Sequence, residues 1–225
     1  MERLIIEELL QWKTSPRRKP LILNGARQVG KTWILKHFGE IYYDNVAYIN
    51  CDKESLAAKL FEDYDTKRII QAIETITNTQ IVAGKTLIII DEIQEVPRGL
   101  HALKYFAENA PEQHIAVAGS LLGLLLHQGE SFPVGKVNML QMYPMTFLEF
   151  LKAIGEDKIY QQLVNREWSV TNTVHEKIVK HLRMYLYVGG MPEAVQAYCN
   201  NVPLREIRSI HNEILTAYIN DLSKH

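Results

Sequence analysis

A chain of 225 residues with 47% apolar and 23% charged side chains has material for a full core and an appendage, which excludes wholesale disorder. A net charge of −1 excludes a generally basic nucleic-acid binder, leaving "KTSPRRKP" (residues 13–20) as the one basic patch that a partner could read; its plainer reading is a solvated linker. Two distant cysteines, Cys51 and Cys199, exclude a disulfide framework, and the scattered histidines show no zinc spacing.

The opening "MERLIIEELLQW" lacks the apolar core and cleavage site of a signal peptide. Leu4, Ile5, Leu9 and Trp12 instead recur near helical spacing. No apolar run approaches the roughly 20 residues a bilayer span needs, "SLLGLLLHQG" included, so a cytoplasmic location with no membrane partner is expected. "PLILNG" reads as a buried strand, "GARQVG" as a loop and "KTWILKHFG" as a helix stopped by Gly39. "NVAYIN" is a second strand, and Asp52 is the expected N-cap of a helix over "KESLAAKLFEDY". A helical stretch over residues 67–77 follows. The third strand covers residues 86–90, and "RGLHALKYFAENA" is helical. "HIAVAGS" and "KVNMLQMYP" complete five strands. Strands alternating with helices, apolar on both faces, predict an α/β fold with a parallel sheet.

After Pro144 the pattern becomes helical only. Thr146 with Glu149, and Thr173 with Glu176, have the spacing of capping boxes. Gly189 and Gly190 stop a helix, and Pro192 and Pro203 suit first turns. Leu204, Ile207, Ile210, Ile214, Tyr218 and Leu222 form one apolar stripe. The expected division is an α/β core over residues 1–145 and a helical lid over residues 146–225.

Residues 25–32 fit G-x-x-x-x-G-K-[ST], the P-loop. Gly25 and Gly30 permit a backbone whose N–H groups converge on phosphate oxygens, and the helix beginning near Lys31 aims its positive end at the same place. Lys31 supplies charge to the β- and γ-phosphates, and Thr32 supplies a hydroxyl to Mg²⁺. Ala26, Arg27, Gln28, Val29 and Trp33 complete the expected nucleotide contacts. In "LIIIDE", Asp91 at a strand end can sit beside Mg²⁺, and Glu92 can take a proton from an attacking water. Ser120 ends the next strand, where its hydroxyl can touch a γ-phosphate or cap the following helix. Gln94 stands two residues beyond Glu92, placed to orient water or relay nucleotide state.

"GARQVGKT", "LIIIDEIQ", "AVAGS", "VGKVNMLQMYPMTFLEF" and "YVGGMPEAV", in this order, resemble a prokaryotic family of AAA+-superfamily ATPases over most of the chain. The resemblance implies a P-loop NTPase fold, with a five-stranded parallel sheet between helices and a small all-helical lid. It also implies ATP and ADP as ligands, Mg²⁺, Ser120 at the sensor position, and a further C-terminal domain after "INDLSKH". This sequence departs at Lys136, where the family usually has arginine; lysine keeps the charge and loses the planar fork. Arg27, Arg98, Arg183 and Arg205 are candidates for an arginine finger. Two functions follow. One is Mg²⁺-dependent ATP hydrolysis that drives closure of the lid. The other is a slow nucleotide switch that exposes a surface to a protein or DNA partner, or to a second copy of the chain.

Overall fold

The computed structural model describes residues 2–53, 56–119 and 135–222. They fall into two compact units, one of Ile5–Ala26 and Gly30–Met142, the other of Met1–Leu4, Arg27–Val29 and Tyr143–His225.

The first unit is a five-stranded, all-parallel sheet between helices. Helix α1 (Ile5–Thr14) leads to β1 (Leu21–Gly25), α2 (Lys31–Tyr42), β2 (Asn45–Asn50), the short α3 (Ala57–Leu60), α4 (Thr66–Thr77) and β3 (Thr86–Asp91). A 3-10 turn (Ile93–Glu95), α5 (Pro97–Asn109), β4 (His114–Gly119) and β5 (Asn138–Met142) complete it. The strand order is β2-β3-β4-β1-β5. Every residue of β3 and β4 is buried, as near-continuous apolar runs require of central parallel strands. One face of the sheet, through Ile22, Ile49, Ile88, Ile90 and Val117, packs on Phe61, Ile69, Ile73 and Phe106 from the segment spanning α3 to α5. Helix α2 packs against β1, β2, β3 and β4.

Two local expectations are corrected here. Gly39 does not stop α2, which runs to Tyr42; a Cβ at Gly39 would lie 2.5 Å from Val46 Cγ2, so this glycine admits a neighbouring strand. Asp52 does not cap the next helix: α3 starts after Leu56, and the Asp52 N–H turns back to Asn50 Oδ1 at 3.0 Å. The capping aspartate is Asp65, which accepts from the Lys67 and Arg68 amides at the start of α4. The basic segment 13–20 is tied to its own unit, with Lys13 donating to the Tyr42 carbonyl, Arg18 to Pro111 and Lys19 to Gly135.

The second unit holds α6 (Phe147–Ala153), α7 (Asp157–Val164), α8 (Trp168–Thr173), α9 (His175–Val188), α10 (Pro192–Cys199) and α11 (Leu204–Leu222). Its core joins Met145, Phe150, Val188, Ala194, Val195 and Ile207. The Thr146–Glu149 capping box is formed in both directions. The expected Thr173–Glu176 box is absent. Thr173 belongs to α8, and its hydroxyl donates to the Ser169 carbonyl four residues back, leaving α9 to begin without a side-chain cap. Of the α11 stripe, Ile207 and Ile214 are buried while Leu204 lies exposed; Leu215 and Ile219, outside the stripe, are exposed as well. Among the described residues no helix is long and apolar enough to cross a membrane.

Candidate functional site

Strand β1 runs between β4 and β5 and ends at Gly25. That residue lies so close to β5 that a Cβ would overlap the Met142 carbonyl oxygen. The chain then turns through residues 26–30 into α2. Gly30 has φ +95°, a left-handed conformation costing other residues roughly 1–2 kcal/mol. Gln28 takes φ +64° although it carries a side chain, so the strain of this turn is not confined to its glycines. No side chain caps α2, whose positive end therefore meets the loop.

Lys31 is 7% exposed, and its ammonium donates to the carbonyls of Gly25 and Ala26, each at 2.8 Å. Thr32 Oγ1 donates to Asp91 Oδ2 at 2.8 Å. The sheet order explains how two motifs about 60 residues apart meet. "NVAYIN" lies between them in sequence but pairs on the far side of β3, while β4 separates β1 from β3 in space. A strand spacing of about 4.8 Å leaves a gap of roughly 10 Å between the two strand ends.

Asp91 is 4% exposed and accepts a second hydrogen bond on Oδ2, from the Tyr48 hydroxyl at 3.0 Å. Asn50 in turn donates to the Tyr48 oxygen at 3.3 Å, and Lys36 places its ammonium 3.4 Å from the Tyr48 ring centre. Burial pushes the Tyr48 phenol up from its ordinary pKa against the opposing Asn50 hydrogen bond, the Asp91 charge and hydrogen bond add to the rise, and the phenol stays a donor. Burial and the charges of Asp91, Glu95 and Glu92 push the Cys51 thiol up to about 12, so it stays a neutral packing group.

Glu92 has φ +50° and ends the strand, and its carboxylate accepts from the Gln94 amide. Gln94 Oε1 is buried with no hydrogen-bond partner. Gln94, expected to orient water or relay nucleotide state, thus engages the Glu92 side chain itself. Ser120 lies outside the described residues. Trp33 is half exposed and stacks on His37, with ring centres 4.7 Å apart. Lys136 pairs with Glu108 at 2.9 Å, both side chains exposed to solvent. Arg98 lies 5.2 Å from the Tyr64 ring, and Arg27, Arg183 and Arg205 are exposed.

Two contributors escaped the sequence reading. Tyr48 shares a strand face with Asn50, a period of two that was there to be read beside the acidic strand end. Arg3, 6% exposed, donates to Glu149 Oε1 at 2.9 Å, to the Val29 carbonyl at 2.9 Å and to the Tyr143 carbonyl at 2.7 Å. Its signal was a single cation, next to Glu2, just ahead of the apolar start of α1.

A parallel sheet, a glycine loop leading into an uncapped helix, and a hydroxyl–carboxylate pair at the ends of strands separated by a third define an α/β P-loop NTPase fold of AAA+ type, followed by helices. The sequence matches the family described as AAA domain over residues 17–151, and the chain belongs to that family. The family places it among nucleotide-binding, ATPase-like domains. An uncharacterized protein of Haemophilus influenzae is 26% identical over 208 residues, or 89% of this chain; the chain spans 45% of the length of that curated relative. Among solved structures, the Walker-type ATPase PABY2304 of Pyrococcus abyssi shares the fold, with a TM-score of 0.58 and 17% identity over 99% of this chain and 75% of its own. Drosophila ORC bound to DNA matches with a TM-score of 0.49 and 14% identity over 93% of this chain and 66% of its own. Cdc6p from Pyrobaculum aerophilum matches at 0.42 and 16% identity over 66% and 45%.

Proposed function

We propose that the chain binds ATP with Mg²⁺ and hydrolyses it to ADP and phosphate. The observation that carries this reading is the Thr32–Asp91 hydrogen bond of 2.8 Å beside the buried Lys31 ammonium. A hydroxyl and a carboxylate are hard oxygen donors suited to Mg²⁺, which fills its remaining positions with phosphate and water. Thr32 and Asp91 would hold the ion, which when bound neutralises charge on the β- and γ-phosphate oxygens. Lys31 exchanges its hold on the two loop carbonyls for phosphate oxygens, and the amides of residues 26–32 surround the same group. Glu92 accepts the proton of the water whose oxygen bonds to the γ-phosphorus as the bond to the β-γ bridging oxygen breaks. ADP and inorganic phosphate leave. Ser120 takes the sensor role, and the core over residues 1–145 and the lid over residues 146–225 respond to the phosphate lost.

The Gln94 amide on the Glu92 carboxylate favours a second reading. With its base engaged, the chain acts as a slow switch until a protein or DNA partner, a second copy or a following domain releases Glu92. Phosphate release and Mg–ATP titrations on wild type, Lys31→Ala and Glu92→Gln test both readings. Lys31→Ala loses binding; Glu92→Gln binds and does not turn over. Equal hydrolysis by wild type and Glu92→Gln overturns the assignment of the base. A Gln94→Ala variant faster than wild type favours the switch.

A further inference from the structure

We propose that Arg3 is a positioning residue for the phosphate loop: by holding the Val29 carbonyl, it aims the Gly30 amide at a bound phosphate. This rests on the reading of residues 25–32 as a nucleotide loop. Arg3, Val29, Tyr143 and Glu149 all belong to the helical unit. A buried guanidinium needs compensation for lost hydration, and Arg3 finds it in three directions. Nε meets the Glu149 carboxylate, one terminal nitrogen meets the Tyr143 carbonyl, and the other meets the Val29 carbonyl.

Glu149 is itself fixed. Oε1 also accepts from the Leu4 amide at 2.9 Å, and Oε2 accepts from the Thr146 amide at 2.8 Å. Burial alone would raise its pKa, but the Thr146 amide, Arg3 and the Leu4 amide outweigh it and hold the carboxyl below its ordinary range. The ion pair is thus complete without the loop, and the third arm of the fork is what reaches Val29.

In a trans peptide the carbonyl and the next amide point in opposite directions. Among the described residues there is no cis bond, so fixing the Val29 oxygen fixes the Gly30 N–H on the other side of the plane. The Tyr218 hydroxyl holds the Arg27 carbonyl at 2.6 Å and, by the same geometry, sets the Gln28 amide. A loop with left-handed backbone at Gln28 and Gly30 does not keep that shape unaided. Lysine at position 3 retains the charge for Glu149 but has no planar fork to span both carbonyls.

The test compares Arg3→Lys with Thr146→Ala, which weakens the same helix cap without touching the loop. Calorimetric titration with Mg–ATP and amide hydrogen exchange over residues 26–32 without nucleotide are the readouts, with melting temperature as the control. Arg3→Lys is expected to weaken Mg–ATP binding about 10- to 100-fold and to speed loop exchange about tenfold or more, while Thr146→Ala changes neither at a comparable loss of melting temperature. Unchanged affinity and exchange in folded Arg3→Lys overturn the proposal, as does Thr146→Ala reproducing both effects. Should Arg3→Lys not fold, Glu149→Gln keeps Arg3 in place with a neutral partner; a smaller change in both readouts supports the proposal and none overturns it. If wild type binds no Mg–ATP, the nucleotide reading fails separately, and loop exchange alone decides whether Arg3 anchors the turn.

Discussion

Tyr48→Phe isolates one hydrogen bond of the candidate metal carboxylate. The substitution removes the hydroxyl that donates to Asp91 Oδ2 at 3.0 Å and leaves the ring under the Lys36 ammonium, 3.4 Å from its centre. Hydrogen bonds to charged groups contribute about 1.5–3 kcal/mol. The lower end applies here because Thr32 still donates to the same oxygen. The expected loss is therefore about 1.5 kcal/mol, or roughly 3–6 °C in melting temperature for a chain of this size. In an Asp91→Asn background the hydroxyl meets a neutral amide, and the same change costs only about 0.5 kcal/mol, giving a coupling of about 1 kcal/mol. Urea unfolding followed by fluorescence of Trp12 and Trp33, both in the sheet unit, in a Trp168→Phe background reads that unit. A loss below about 0.3 kcal/mol, or an equal loss in both backgrounds, refutes the claim that Tyr48 supports the Asp91 charge.

Two further outcomes concern stability. Burial, with the charges of Arg18 and Lys13 nearby, holds the His114 pKa down to about 4 against an ordinary 6.5, and its Nδ1 lies 2.7 Å from the Tyr43 hydroxyl. The unfolded chain binds the extra proton first, so stability is full above the unfolded value and falls as pH drops from 6.5 towards 4. Urea midpoints across that window should decline in wild type and decline less in His114→Asn. Gly39→Ala brings a Cβ to 2.5 Å from Val46 Cγ2. Overpacking of about 1–3 kcal/mol exceeds the roughly 1 kcal/mol gained in helix propensity, and adding Val46→Ala should restore most of the loss in a melting assay.

The sheet was legible because its central strands are apolar on both faces and bounded by turn residues, so neither register nor packing was needed to see them. Gly39 misled for the opposite reason. Nothing local distinguishes a glycine that ends a helix from one that lets Val46 approach, and only the β2–α2 packing decides. Thr173 misled because a hydroxyl can bond back into its own helix as readily as forward to the next. The phosphate loop was readable because glycine, lysine and threonine act within one turn of chain. Tyr48 and Arg3 were not, since each acts through a register or a contact over 26 to 146 residues of separation.

That difference bears on the two neighbouring acids. Sequence alone assigns Asp91 and Glu92 different roles by their order after the strand, without showing what separates them in space. The left-handed backbone at Glu92 breaks the strand between them and turns the chain into the 3-10 segment that carries Gln94. Asp91 consequently serves Thr32 and Tyr48, and Glu92 serves Gln94, so adjacent carboxylates acquire separate partners. A group that holds a cation must stay charged and fixed, whereas a group that takes a proton must be able to leave one partner for another. The first description fits a buried oxygen with two donors. The second fits a side chain held by a single amide whose own oxygen is left unpaired, because the exchange of that one contact gives Gln94 the chance to satisfy it.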